Sequence, residues 1–322
     1  MTSGVERVPP AVPDGTDPVV GELLARCGFP PAGREVTCAV SGGADSTALV
    51  ALAVAADLRV VAVHVDHALR EGSDLEARHV AAVVEPWGVE VRSVRAPVAP
   101  GSDLEARARA ARHASLPADA LLGHTADDQA ETVLLRLLRG TGPTGLAAMR
   151  PDRHPLLALR RAETRALCDH LGVVPLEDPT NDDPRFTRNR VRHEVMPLLD
   201  DIAGRDVAPL LARLAELSAD QADLLDVLAA ALDPTDAAAL AAAPAPLATT
   251  ALRAWWLRTT GAAHPPDAAA TARIMEVAVG ASVGCDVTGG WTVRRTAGRL
   301  RLVAPGAGRT ADPPVNGANV DG

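Results

Sequence analysis

The sequence predicts an α/β fold: a parallel sheet with helices on both faces, followed by a smaller, mainly helical part. In the first half of the chain, short valine-rich runs alternate with alanine-, leucine- and arginine-rich helical patterns, which is typical of βαβ units. In the second half the periodicity is helical, and the last apolar stretch predicts two strands joined by a turn. The expected order is therefore a sheet domain, a set of helices and a short C-terminal β-hairpin.

Four apolar runs are the predicted strands of the sheet, at 34–40, 58–65, 89–96 and 118–124. Helices are predicted between and after these runs, at 45–56, 73–85, 103–115 and 126–139. Short apolar runs of this kind are expected to be buried on both faces of a parallel sheet.

The second half begins after a polar, arginine-rich stretch near 176–200. Helices are predicted at 205–232, within the alanine-rich stretch 236–260 and at 266–280, and the hairpin at 286–305. The sequence thus predicts four segments: a disordered N-terminus (1–18), the sheet domain (19–200), the mainly helical domain (201–305) and a disordered tail (306–322).

Composition and charge argue against several classes of protein. The net charge of −9 argues against a protein that coats nucleic acid generally, and all 32 basic residues are arginine. The four cysteines lie too far apart for a zinc or iron–sulfur motif. We expect no membrane span and no secretory signal, and hence a cytoplasmic protein with buried thiols.

The segment SGGADS (41–46) joins the first predicted strand to the helix after it. Glycines at 42 and 43 let backbone amides approach an anion closely, and Ser41 and Ser46 add hydroxyl donors. Ligands of parallel sheets bind at the carboxyl ends of strands, where helix N-termini point outward. The loop therefore predicts a phosphate site, although an ordinary strand–helix turn with a serine cap is the simpler alternative.

Two common phosphate loops are absent, since the chain has neither G-x-G-x-x-G here nor the lysine that a P-loop requires. The S-G-G-x-D-S pattern instead resembles the ATP pyrophosphatases, whose PP-loop domain is Rossmann-like. The resemblance implies that ATP is split between its α and β phosphates. The residues that it assigns to ATP are Ser41, Gly42, Gly43, Ala44, Asp45, Ser46 and, from the next segment, His64.

Two segments resemble one branch of this superfamily, the tRNA(Ile)-lysidine synthetases. HVDHALR (64–70) is similar to their H-x-N-H-x-L-R segment, with Asp66 where asparagine is usual. SDLEARARAARH (102–113) is similar to their E-x-x-A-R-x-x-R helix, in which an arginine faces the reaction centre. The alignment selects Arg109, with Arg107 as the alternative. On composition alone, a salt-bridged solvated helix is an equally good interpretation.

GHTADDQAET (123–132) carries a histidine at the end of a predicted strand and two acids three residues apart. Asp128 and Glu131 therefore share one face of the next helix, where they could bind an ammonium group or magnesium, or simply cap the helix. The segment resembles the G-H-x-x-D-D-Q-x-E-T box of the synthetases. The resemblance implies that His124 lies near the phosphates and magnesium and that the two acids hold the lysine substrate.

Two further boxes follow in the order expected for the synthetases. HPLLALRRAET (154–164) is similar to R-P-L-L-x-x-x-R-x-E, with His154 in place of arginine. EDPTNDDPRFTRNRVRHEVMP (177–197) is similar to a closing box D-x-x-N…R-N-x-x-R. A run of arginines on an acidic protein is usually a solvated patch, but here it is the best candidate for contacting RNA. The residues concerned are Arg188, Asn189, Arg190 and Arg192.

The resemblance implies an ATP-dependent ligase that forms a C–N bond in two steps. ATP adenylates the C2 oxygen of the wobble cytidine of a CAU-anticodon tRNA(Ile), and free lysine then displaces AMP. Mg²⁺ would be held by Asp45 and His124, and Arg109 would stabilise the developing negative charge. Whether Asp45 binds magnesium or acts as a base stays open, as does the oligomeric state, with a homodimer as one option.

Three other functions compete with this hypothesis. A tRNA thiolation enzyme uses the same loop but needs reactive or cluster-binding cysteines. A synthetase that uses ammonia would need a glutaminase partner. A non-catalytic nucleotide- or tRNA-binding module would have no need of Asp45, His124, Asp128 and Glu131 together.

Overall fold

The computed structural model describes residues 10–66, 73–97, 107, 111, 114–177 and 182–306 of the chain. The chain divides into two compact units, one that ends at Ala219 and one that begins at Asp220. The segment limits expected from the sequence stay predictions, and residues 1–9 and 307–322 lie outside the described residues.

A parallel three-stranded sheet organises the first unit. Its strands are β1 (Glu35–Ala39), β2 (Arg59–Asp66) and β3 (Glu90–Arg95), in the spatial order β1-β2-β3. Glu35 pairs with Arg59, and Val61 pairs with Glu90. Because all three strands run in one direction, their carboxyl ends meet at one edge, and the glycine loop lies there. The predicted parallel sheet is confirmed.

The prediction of a fourth full strand at 118–124 is wrong. This segment touches β1 through a single bridge between Leu121 and Cys38. The Leu121 amide donates to Thr37 and its carbonyl accepts from Ala39. A turn at Pro117 precedes the bridge, and the Leu122 amide then bonds to the carbonyl of Arg153 instead of to a strand. The chain therefore leaves the sheet after one residue.

Helices surround this sheet. In the first unit they are α1 (Pro18–Leu24), α2 (Ala44–Ala55), α3 (Ser73–Val84), α4 (Ala126–Leu138), α5 (Pro143–Leu146), α6 (Arg161–His170), α7 (Thr187–Arg190) and α8 (Met196–Ala203). A helix α9 (Ala208–Ala229) crosses the division between the units. The predicted helices at 45–56, 73–85 and 126–139 are confirmed, and most of 103–115 lies outside the described residues.

Small and branched residues fill the core of the first unit, because the chain has only 2% aromatic residues. Helix α2 is buried from Ser46 to Ala53 and packs with strand residues such as Cys38 and with Leu167 of α6. Burial of this kind is the main source of stability, and it makes α2 a rigid support for the loop that precedes it.

The second unit combines helices with a small antiparallel sheet. Its helices are α10 (Ala237–Ala242), α11 (Ala245–Thr260) and α12 (Ala268–Val279). Its strands are β4 (Gly284–Asp286), β5 (Thr292–Thr296) and β6 (Arg299–Val303), in that order. The C-terminal hairpin is confirmed as β5–β6, with β4 as an additional strand. The alanine-rich stretch forms two helices because Pro244 lacks an amide hydrogen to continue α10.

The four cysteines are free, and burial raises the pKa of Cys27, Cys38 and Cys168 to about 12 in each case. Thiols held in this state are inert side chains of the core. In the part of the chain that the structure covers, no helix is both long and apolar enough to cross a bilayer.

Gly123 brings the entrance of α4 into direct contact with the start of α2. A Cβ atom at this position would lie 2.6 Å from the Asp45 carbonyl oxygen and 3.0 Å from the Ser46 Cα. Both neighbours are backbone atoms of a buried helix, so they cannot move aside easily. A side chain at position 123 would therefore clash with the backbone of α2, so this position requires glycine.

We predict that Gly123→Ala lowers the free energy of unfolding by about 1–3 kcal/mol, the usual cost of overpacking. The control is Gly142→Ala, because a Cβ there meets nothing within 4 Å; it should change stability by about 0.5 kcal/mol or less. Urea unfolding of the two variants beside the parent chain measures the difference. Equal stabilities would contradict the close approach of the two helices.

Candidate active site

The glycine loop forms an anion cradle at the N-terminus of α2. Gly42 has φ +86°, a left-handed conformation that other residues rarely adopt. The Ser46 hydroxyl accepts from the Ser41 amide at 3.2 Å and donates to the Gly43 carbonyl at 3.0 Å, which fixes the curve of the loop. Gly43 is the N-cap of α2 and has no side chain to cap it. The first amides of the helix are thus available to an anion.

His64 lies in β2 beside the strand that leads into this loop. Its side chain is buried, and Nδ1 is 3.0 Å from the Val40 carbonyl oxygen. Its Nε2 atom is also buried and has no hydrogen-bond partner among the described residues. The ring of His64 is therefore inside the protein and not in solvent.

Asp45 projects from the first turn of α2 toward helix α6. One carboxylate oxygen accepts a hydrogen bond from the Thr164 hydroxyl, and the other lies 3.5 Å from Nε of Arg161. Burial raises the pKa of Asp45 to about 6, and the nearby charge of Asp128 acts in the same direction. The hydrogen bond from Thr164 opposes this rise.

Asp128 is the N3 residue of α4 and forms a capping box with Thr125. Its Oδ2 accepts from the Thr125 amide at 2.9 Å, while Oδ1 accepts from Arg161 at 3.0 Å and from Arg188 at 2.9 Å. Burial by itself would raise the pKa of Asp128, but Arg161, Arg188 and His124 together hold it well below its usual range. The carboxylate is therefore ionised, and capping is one of its functions.

Glu131 is the most deeply buried acid of the site, with 2% of its side chain exposed. It accepts hydrogen bonds from three arginines: Arg188 through Nε at 2.7 Å, Arg192 through Nε at 2.7 Å, and Arg161 through Nη2 at 3.3 Å. We call these four residues together with Asp45 and Asp128 the charged cluster; its members are Asp45, Asp128, Glu131, Arg161, Arg188 and Arg192. In it three carboxylates face three guanidiniums, so the described charges balance.

The side chains of the predicted RNA-contacting residues, 188–192, point in two directions. Arg188 and Arg192 are one turn apart and point inward to the charged cluster, whereas Arg190 is exposed and pairs with Glu194 at 2.8 Å. Asn189 is buried, and its amide donates to the Asp183 carbonyl at 3.0 Å. Their role toward RNA stays a prediction, and Arg190 is the member with its side chain at the surface.

The rings of His124 and His154 lie side by side, with centroids 5.0 Å apart. Nδ1 of His154 lies 2.7 Å from the Arg150 carbonyl oxygen. His154 thus fills the space beside a predicted site residue where the synthetases usually have arginine. Across the described residues, no group of three or more His, Cys, Asp or Glu side chains could hold a metal ion.

Sequence reasoning missed Arg161 and Thr164, which lie three residues apart in α6 and both contact Asp45. Both lie within the HPLLALRRAET segment, so the resemblance itself was the signal for them. Arg109, a predicted catalytic residue, lies outside the described residues, as do Asp178 and Asn181 of the closing box.

Comparisons with known proteins identify the family of the chain. The family profile of the PP-loop domain matches residues 20–199, and that of the TilS substrate binding domain matches residues 236–301. The tRNA(Ile)-lysidine synthase of Rhodococcus erythropolis is 46% identical over 70% of this chain and 74% of its own length. That of Nocardia farcinica is 46% identical over 74% and 80%, and that of Rhodococcus opacus is 41% identical over 83% and 89%.

Solved structures are more distant. The U34-tRNA thiolase NcsA from Methanococcus maripaludis is 16% identical, with a TM-score of 0.48, over 62% of this chain and 77% of that chain. A likeness at this level carries no argument about function.

We predict that Glu131→Gln lowers the free energy of unfolding by about 3–5 kcal/mol, because it removes the buried carboxylate on which three half-buried guanidiniums converge. The matched control is Glu194→Gln, which removes an exposed pair with Arg190 and should cost about 0.5 kcal/mol or less. Urea unfolding at pH 7 compares the two. A Glu131→Gln variant as stable as the control would contradict a central role for this carboxylate.

We predict that Asp45→Asn becomes more stable relative to the parent chain as the pH rises. Because burial raises the pKa of Asp45 to about 6, the folded state favours the neutral acid. The stability that protonated Asp45 contributes is fully present below the pKa of this carboxyl in the unfolded chain, and it is lost as the pH rises through about 6. The asparagine variant, neutral throughout, should therefore gain on the parent chain by about 2–3 kcal/mol between pH 4 and pH 7.5.

Urea unfolding across this pH range, without nucleotide or divalent cation, measures that difference. Asp201→Asn, at an exposed position, is the control and should show no such trend. A constant difference between Asp45→Asn and the parent chain would contradict the raised pKa.

Proposed function

Because the chain belongs to the tRNA(Ile)-lysidine synthase family, we propose that it joins free L-lysine to the wobble cytidine of a CAU-anticodon tRNA(Ile), using ATP. The observation that carries this proposal is the charged cluster, in which Asp45 of the glycine loop meets Asp128 and Glu131 of α4. A loop for phosphate and acids for an amine are the two parts that such a ligase requires, and Arg161 contacts both.

In the first step the C2 oxygen of cytidine attacks the α-phosphorus of ATP. An O–P bond forms, the bond between the α-phosphorus and its bridging oxygen to the β-phosphate breaks, and pyrophosphate leaves with the electron pair. The amides of the glycine loop, with Ser41 and Ser46, would bind the pyrophosphate portion. Because Ser46 already holds the loop in its curved form, the backbone amides need little reorganisation when the anion arrives, and the Ser46 hydroxyl has to turn its proton from the Gly43 carbonyl to the anion.

Magnesium fits this loop through Asp45. Mg²⁺ prefers oxygen ligands and is usually held by one or two carboxylates together with substrate phosphates. Asp45 is a half-buried carboxylate beside the cradle, whereas the imidazole of His124, also predicted as a ligand, suits softer metals. When bound with ATP, the ion would neutralise charge on the departing pyrophosphate.

In the second step an amine of lysine attacks C2, a C–N bond forms, the C2–O bond breaks, and AMP leaves with the oxygen. Asp128 and Glu131 would orient the ammonium end of lysine before it loses its proton. Both acids are occupied by guanidiniums in the structure. The substrate cation therefore has to share or exchange these partners, which keeps the buried charges balanced throughout.

Arginines of the second unit support an RNA substrate. Arg294 of β5 and Arg301 of β6 are directly opposite each other in the antiparallel register, and both are exposed. Like charges in such a pair destabilise a sheet unless an anion joins them. Both residues have no ion-pair partner among the described residues, so a phosphate backbone would relieve this repulsion.

The competing functions are less well supported. A thiolation enzyme needs reactive cysteines, but burial raises the pKa of Cys38 and Cys168 to about 12. A pure binding module needs no buried cluster of three acids and three arginines. A homodimer and a cytoplasmic location stay predictions.

We predict that the chain incorporates radiolabelled lysine into a CAU-anticodon tRNA(Ile) transcript in the presence of ATP and Mg²⁺. Asp128→Asn should reduce incorporation about 100-fold or more, because it removes a charge from the substrate site. Asp201→Asn is the control and should behave as the parent chain. Full incorporation by Asp128→Asn would remove this residue from the lysine site, and no incorporation by the folded parent chain would refute the proposed function.

A further inference from the structure

Arg161 lies between the two halves of the proposed active site. Its Nε is 3.5 Å from Asp45, which belongs to the glycine loop, and its Nη2 is 3.0 Å from Asp128 and 3.3 Å from Glu131. Asp45 belongs to the nucleotide side of the site and the other two acids to the lysine side. Arg161 thus contacts acids of both sides through one guanidinium.

The side chain of Arg161 has an open donor edge. Its Nη1 has no hydrogen-bond partner among the described residues, and 31% of the side chain is exposed. Arg188 and Arg192 direct the same two atoms, Nε and Nη2, to the acids of α4, but their side chains are less exposed, at 18% and 23%. Of the three guanidiniums, Arg161 is thus the one best placed to add an anionic partner.

The backbone around Arg161 is held in place. Its amide donates to Asp127 at 2.8 Å, and the Thr164 hydroxyl lies 2.8 Å from its carbonyl oxygen. The neighbouring Arg160 is fully engaged with Asp127 and Asp206. A guanidinium fixed at its base with a free outer edge is suited to stabilise charge without reorganisation.

We propose that Arg161 is a catalytic residue that donates a hydrogen bond to a non-bridging oxygen of the α-phosphate while the adenylyl group moves from pyrophosphate to the cytidine oxygen. This inference rests on the proposed function and adds to it a residue for the first step. The three acids hold the guanidinium beside the path of the phosphorus atom. The contact strengthens as negative charge develops on the non-bridging oxygens, so it lowers the barrier more than it strengthens ATP binding.

The test uses the full chain, the tRNA transcript and ATP, with adenylyl transfer followed in a single turnover. Arg161→Gln should slow the transfer about 100-fold or more, the usual effect of removing one such donor, while the Kd for ATP changes about threefold or less. Arg161→Lys should recover part of the rate, because it keeps the charge but not the planar fork. Arg165→Gln, one turn along α6 in an exposed pair with Glu177, is the matched control and should react as the parent chain.

Sulfur substitution separates a phosphate contact from a structural role. ATP with sulfur at either non-bridging α position should react more slowly with the parent chain for at least one diastereomer, since sulfur accepts hydrogen bonds weakly. In Arg161→Gln that sensitivity should disappear. If Arg161→Gln is unfolded by circular dichroism, the same comparison is made with Arg161→Lys.

Two results would overturn the inference. Transfer at the parental rate by Arg161→Gln would show that the contact is not made. Slow transfer with an undiminished sulfur effect would show that Arg161 only balances the three acids. Failure of the parent chain itself to form an adenylate or lysidine is a separate outcome, which would refute the proposed function and this inference with it.

Discussion

The buried carboxylate of Glu131 is the contact on which the site depends. A carboxylate with 2% of its side chain exposed is stable only if cations replace the water that it has lost. Arg161, Arg188 and Arg192 supply them from two different helical segments. Because Arg161 and Arg188 also reach Asp128, the same guanidiniums tie helices α4, α6 and α7 together at the carboxyl edge of the sheet.

The glycine loop and the charged cluster are joined by close packing as well as by charge. Gly123 lets the entrance of α4 approach the backbone of Asp45, and Thr164 of α6 fixes the carboxylate of the same residue. A shift of α4 or α6 therefore moves Asp45. A change in the conformation of the glycine loop likewise alters the positions of Asp128 and Glu131. The glycine loop and the charged cluster are consequently coupled through direct contacts.

The sequence alone was sufficient for the parallel sheet, the loop and the acids, because each of these leaves a local pattern: strand–glycine–helix for the loop, and a spacing of three for Asp128 and Glu131. The directions of Arg188 and Arg192 could not be predicted, because a charged run on a helix looks the same whether it faces solvent or a buried acid. The prediction of a strand at 118–124 was wrong for a related reason. Its apolar composition indicates burial, but the partner of Leu122 is a loop carbonyl, which only tertiary structure reveals.

The absence of lysine from the chain has a consequence for the flow of protons. A guanidinium stays charged in proteins and cannot accept a proton, so none of the three cations described in the cluster can act as a base. The proton that an incoming ammonium group must release has to pass to another acceptor, such as a carboxylate, an imidazole, a substrate phosphate or water. Equally, no side-chain amine of the protein can intercept an activated cytidine. The side-chain amine that reacts at this site therefore has to come with the substrate.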